Sequence, residues 1–195
     1  MSKRLRHPVD VLRAADTRAF SIGRRQEQYP KTACRRCGIG PCRDRSDSPS
    51  ALLYDTGVSL NADFNIGSVV VVISHGNNDH VGGLLGIESY IRIRKLISNR
   101  KDLNAKPPAQ LCIYNKDRNW DGVEFRFLQS ALDYFPENNN SCVLQIRSKV
   151  GSVSLPGDIE SEADAHFERS YGRELTSEVL LAIHHEGITL RVMPS

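Results

Sequence analysis

The sequence predicts an α/β fold whose strand ends converge on one cluster of ligand-type side chains. Three observations point there. The run 69–73 is β-branched and apolar on both faces, as in a strand covered on both sides. Strand-like segments alternate with segments of helical period at 84–97 and 160–171. Three apolar strands each end in polar residues: His75 to His80 after 69–73, Asp158 after 153–155, and His184 with His185 after 179–183. Ligand sites in α/β folds collect at such ends, where loops meet while the sheet stays rigid.

The elements follow in chain order. Residues 1–50 hold ten arginines, scattered prolines and glycines, and no sustained period of 2 or 3.6. They are expected to form a disordered or aberrant basic arm, and residues 51–195 a partial domain. Residues 51–54 are a short apolar strand running into the turn Asp55-Thr56-Gly57, and 69–74 are a buried strand. Gly82 and Gly83 let a backbone pass close to a site. Residues 84–97 read as one helix. Residues 110–114 and 123–128 read as strands around an Asp121-Gly122 turn. Residues 141–148 and 151–155 form a hairpin-like pair closed by Pro156-Gly157-Asp158. Residues 160–171 are a helix, and 175–183 a last buried strand.

The totals set bounds. The 195 residues suffice for one domain, and 39% hydrophobic with 25% charged residues is a globular composition. No run approaches the length of a transmembrane helix, and no apolar stretch follows the first basic residues as in a secretory signal, so the chain is expected to be soluble. The net charge of +3 hides an asymmetry, because residues 1–50 carry +7 and the remainder −4. Such an arm can contact nucleic acid, or can simply be solvated. Five cysteines do not form the framework of a secreted mini-protein. Cys34, Cys37 and Cys42 have partial zinc-knuckle spacing but lack a fourth ligand nearby; the alternative is unpaired thiols.

The loop Ser74-His75-Gly76-Asn77-Asn78-Asp79-His80-Val81-Gly82-Gly83 concentrates the chemistry. Its His-x-Asn-x-Asp-His spacing can aim side chains at adjacent metal ions from one loop. A two-metal hydrolase needs neutral imidazoles and a bridging carboxylate, so that water ionises near neutral pH. A lone histidine is more often structural, Asp158 alone fits a helix cap, and Asp55 fits a turn. The bland readings weaken when three strand ends each carry ligand-type residues.

This loop resembles the metal-binding motif of the metallo-β-lactamase fold, in the form found in the hydrolase domain of the ComEC competence proteins, the DNA-uptake channels of bacteria. Four further stretches resemble that family in the same order: ALLYDTG at 51–57, ENNNSCVLQI at 137–146, LPGDIESEA at 155–163 and VLLAIHHEG at 179–187. The resemblance implies a four-layer αββα sandwich with two divalent ions, zinc or manganese, at one edge. It implies His75 on the first metal and Asp79 with His80 on the second, Asp79 also orienting the attacking water. It implies Asp158 as the bridge and one of His184 and His185 completing the second metal. Asp55, Asn138, Asn139 and Ser141 would lie beside the metals. The implied activity is hydrolysis of DNA phosphodiesters, in a domain attached to a membrane channel. The alternatives are an inactive degenerate fragment, or another hydrolase on the same fold such as a lactonase or thioesterase, against which the NNNSC segment argues.

The chain also departs from that pattern. Asn77 stands where the family has Asp, so metal affinity should fall with the lost charge. The family has an extra strand and helical turn where 70–72 run straight into Ser74-His75. Elements expected after Gly187 are missing, which should leave the fold incomplete at the C-terminus. Codons for Arg36 to Arg45 can be chosen that, one base out of frame, spell the family's missing first strand, Asp-Val-Gly-Leu-Gly-Leu-Ala-Val-Ile-Val. We therefore expect frameshifted ends on a decaying gene. Reading the gene in all three frames tests this, and absence of the motif from each would refute it.

Overall fold

A computed structural model describes residues 51–57, 68–115, 117–120, 122–128 and 138–180, together with the backbone of Val9–Arg13 and Phe20–Arg24. It is mixed α/β with two sheets. The first sheet has six strands in chain order: β1 (Val9–Arg13), β2 (Phe20–Arg24), β3 (Ala51–Tyr54), β4 (Ser68–Ile73), β5 (Arg92–Ser98) and β6 (Gln110–Leu111). β1, β2 and β3 run antiparallel, while β3, β4, β5 and β6 are mutually parallel. The parallel strands therefore share one C-terminal edge. The second sheet is ordered β11 (Val179–Leu180), β10 (Gly151–Leu155), β9 (Val143–Ser148), β8 (Val123–Leu128) and β7 (Arg118–Trp120). It is antiparallel except for the β10–β11 pair.

Side-chain alternation stacks these elements into layers. Leu52, Tyr54 and Val72 point from the first sheet into a core shared with Val123, Phe125, Leu144, Ile146 and Leu155 of the second. The opposite faces of β3 and β4 present Ala51, Leu53, Val69, Val71 and Ile73. Helix α2 (Leu84–Tyr90) covers them with Leu84 and Ile87. Behind the second sheet, α3 (Ser161–Tyr171) places Ala163 and Phe167 on Leu128 and Val143. β4 is apolar from Val69 to Ile73 because it is central and covered on both sides. Among the described residues, no helix is long and apolar enough to cross a membrane.

Several expectations change. The helix expected over 84–97 ends at Tyr90, and Arg92–Ser98 is a strand. A register shift explains the missed pattern: Val69 pairs with Ile93 but Val70 with Lys95. The extra residue, Arg94, breaks the alternation that marks a strand. The strand expected over 110–114 is two residues long and passes into a 3-10 turn, Cys112–Tyr114. The strand expected over 175–183 begins only at Val179 among the described residues, because Leu175 closes a 3-10 turn, Gly172–Leu175. Two segments inside the basic arm are strands, where no regular structure was expected. Val9 with Val11 and Phe20 with Ile22 carry a period of 2 too short to stand out. Cys112 and Cys142 form a disulfide, a pairing that their wide spacing in sequence does not announce. Cys34, Cys37, Cys42, His184 and His185 lie outside the described residues.

Candidate metal centre

The site forms where β3 and β4 end against the loops that precede β9 and follow β10. The chain leaves β4 into Ser74 and His75. It then forms a single turn, α1 (Asn78–Val81), which returns His80 toward the sheet. Thr56 holds that turn in place, because its backbone N–H and its hydroxyl both donate to the His80 carbonyl, at 2.7 and 2.8 Å. From the other sheet, Gly157 adopts φ +68°. A Cβ there would sit 2.7 Å from Ser141 Cβ and 2.9 Å from Ser74 Cβ. Only glycine permits both the conformation and the close approach that brings Asp158 to the histidines.

One ligand atom each from His75, His80 and Asp158 lies within 4.8 Å of the others, and all three residues are buried. His80 Nε2 is 3.2 Å from Asp158 Oδ2 and 3.5 Å from Asp79 Oδ2. Asp79 is half-exposed and so stands at the rim. The two imidazole rings are 4.0 Å apart.

Asp55 organises the nitrogens. Its Oδ1 accepts the Ser74 N–H at 2.6 Å, and its Oδ2 accepts the Ser74 hydroxyl at 2.9 Å. Oδ2 also lies 2.9 Å from His80 Nδ1. A carboxylate only accepts, so His80 carries a proton on Nδ1 and turns Nε2 toward Asp158. The Ser74 hydroxyl donates its hydrogen to Asp55, so at 3.0 Å its oxygen accepts from His75 Nδ1. That leaves the His75 Nε2 lone pair free of a proton. This nitrogen is buried and has no hydrogen-bond partner among the described residues. Asp55 occupies the left-handed region at φ 56°, uncommon for a side chain other than glycine. Its three hydrogen bonds hold it there.

The two histidines differ in protonation. Burial and the charge on His80 lower the pKa of His75, so it is neutral and able to donate a lone pair. Burial also disfavours charge on His80, but its hydrogen bonds to Asp158 and Asp55 outweigh that and push its pKa up to about 10. The cluster thus holds a proton where a metal would bind Nε2. Two imidazoles and a carboxylate with no lysine or arginine among them form a donor set suited to zinc or manganese.

The remaining expected residues divide. Ser141 lies beside the triad, its Oγ 3.4 Å from His75 Nδ1 and accepting the Asp158 N–H at 3.4 Å. Asn77 is engaged by Asn138, its amide donating to Asn138 Oδ1 at 3.0 Å. Asn139 is buried and accepts the Glu160 N–H at 2.6 Å, which ties down the start of α3 instead of facing the donors. Ser74 and Thr56 were not singled out as site residues. Ser74 did stand inside the signature loop, whereas the role of Thr56 depends on a contact across 24 positions.

No family model matches this chain. It is similar to Recombination protein 2 of Haemophilus influenzae, at 30% identity over 149 residues, covering 69% of this chain and 18% of the relative. It is equally similar to Competence protein ComA of Neisseria gonorrhoeae, at 30% identity over 149 residues, covering 69% of this chain and 20% of that protein. The chain therefore spans about a fifth of the length of the curated relatives it matches.

Proposed function

We propose that this chain is the hydrolase part of a ComEC-type DNA-uptake protein, on a metallo-β-lactamase-like αββα sandwich, with a weakened metal site directed at DNA phosphodiesters. The observation that carries the reading is the buried convergence of His75, His80 and Asp158, with one imidazole nitrogen unpartnered among the described residues. The relatives support the setting, since one is named for recombination and the other for competence. The layering of α2, the two sheets and α3 supports the fold.

A divalent ion bound here would supply Lewis acidity and lower the pKa of water toward neutrality. The chain's own residues prepare that chemistry. His75 offers Nε2, fixed by Ser74 on its other nitrogen. His80 offers Nε2 once its proton leaves, with Asp55 holding the tautomer. Asp158 supplies negative charge between them. Asp79, at the rim, would orient an incoming water or accept its proton. Ser141 and Asn138 form the wall on which a phosphate oxygen would rest. A second ion would draw on Asp79 and one of His184 and His185.

One observation favours a second reading, an inactive remnant. Asn77 brings no charge, and its amide is already engaged by Asn138. Cleavage of single- and double-stranded DNA with manganese, with and without chelator, separates the two. Chelator-sensitive cleavage lost in His75→Ala supports the hydrolase. Metal binding without cleavage supports the remnant. Neither binding nor cleavage would refute the metal-site reading.

A further inference from the structure

The disulfide between Cys112 and Cys142 crosses from one sheet to the other at the edge that carries the donors. Cys112 opens the 3-10 turn that follows β6 of the first sheet, and Cys142 directly precedes β9 of the second. The two Cα atoms are 5.9 Å apart, and the residues are 30 positions apart in sequence. Both side chains are buried.

Cys142 sits where the two halves of the site are tied together. Its N–H donates to the carbonyl of Ser74, the residue before His75, at 2.9 Å. Its own carbonyl accepts the Tyr54 hydroxyl at 2.7 Å, and Tyr54 directly precedes Asp55. Ser141, its neighbour on the other side, lies between His75 and Asp158 through its hydroxyl. One residue thus separates the sulfur bridge from contact with both a histidine and the carboxylate. Ligand sets tolerate errors of only about 0.5 Å, so a wall released from its cross-link degrades the set before it degrades the fold.

We propose that closure of the Cys112–Cys142 disulfide assembles the metal site, so that the chain binds metal tightly only when these thiols are oxidised. The proposal rests on the metal-site reading above. Closure removes two protons and two electrons from the thiols and passes them to a disulfide-bearing oxidant, which leaves as a dithiol. A dithiol reductant runs the exchange backward and becomes a disulfide itself. The site would then form in an oxidising compartment and stay weak in a reducing one.

The test compares manganese affinity in the oxidised full chain, the same chain treated with dithiothreitol, and Cys112→Ala, with far-UV circular dichroism on each. Manganese prefers oxygen and nitrogen donors, so Cys34, Cys37 and Cys42 interfere little. The expected result is at least a tenfold loss of affinity on reduction with the dichroism retained. Cys112→Ala should match the reduced chain and ignore the reductant. Equal affinity in both redox states would overturn the proposal. So would a loss that accompanies loss of secondary structure, because the bond would then be a staple of the whole fold. Absence of manganese binding in the oxidised chain would remove the metal-site reading, and this proposal with it.

Discussion

Substituting Asp55 by Asn probes the organisation of the site most sharply. The two side chains have the same shape, and Asn tolerates φ 56° at least as well as Asp, so the backbone need not move. Asn can still accept the Ser74 N–H through its one carbonyl oxygen. Where Oδ2 stood, an amide N–H₂ would now face the Ser74 hydroxyl and His80 Nδ1, both of which donate in the native protein. Two hydrogen bonds to a charged acceptor are lost or inverted. At about 1.5–3 kcal/mol each, partly recovered when Ser74 reorients, the stability loss is about 2–4 kcal/mol. The larger effect is chemical. To accept from the new amide, His80 must give up its Nδ1 proton and keep the one on Nε2, which blocks the nitrogen aimed at Asp158. Loss of such an outer partner costs about 10–100-fold in metal affinity. Denaturant unfolding gives the first quantity, manganese titration the second, and nitrogen-15 NMR of the imidazole the tautomer. Unchanged affinity with the Nδ1–H tautomer retained would refute the argument that Asp55 sets the orientation of His80.

Gly157→Ala should destabilise the chain by about 2–4 kcal/mol, from a Cβ forced against Ser141 and Ser74 and from the positive φ, read as a lowered melting temperature. Metal affinity should rise with pH, by up to about tenfold per unit, because binding must displace the His80 proton held up to about 10. Calorimetry in buffers of differing ionisation heat should detect about one proton released per ion. Without metal, the His80 pair is held more tightly in the folded chain than at the ordinary value of 6.5. Its contribution to stability is therefore fully present below about 6.5 and disappears as pH climbs through about 10, which pH-dependent unfolding would measure. Asn77→Asp should restore a negative charge at the loop and raise manganese affinity by about tenfold or more. No change would mean the Asn77–Asn138 contact governs nothing about the metal.

The sequence was most readable where one short segment holds the information. The loop from His75 to His80 and the turn at Gly157-Asp158 carry ligand-type residues after apolar strands, and the structure brings His75, His80 and Asp158 together. The central strand β4 was legible because burial on both faces writes an unbroken apolar run. β5 was not, because the extra residue at Arg94 interrupts its alternation, while Ile87 and Ile91 continue the spacing of the preceding helix. The arm strands were hidden by short length and by the charge around them. The Cys112–Cys142 pair and the place of Thr56 depend on which strands become neighbours, and no local pattern encodes that. The rotation of Asn139 toward α3 is of the same kind, since its partner is the Glu160 backbone rather than any side chain.

The central claim is that His75, His80 and Asp158 hold a metal ion. The most direct test is ions bound per chain after equilibration with saturating manganese or zinc and removal of the excess, in the native chain and in Asp158→Ala. At least one equivalent in the native chain, lost in the variant, is the predicted result. No retained ion in the native chain, or equal retention in the variant, would contradict it.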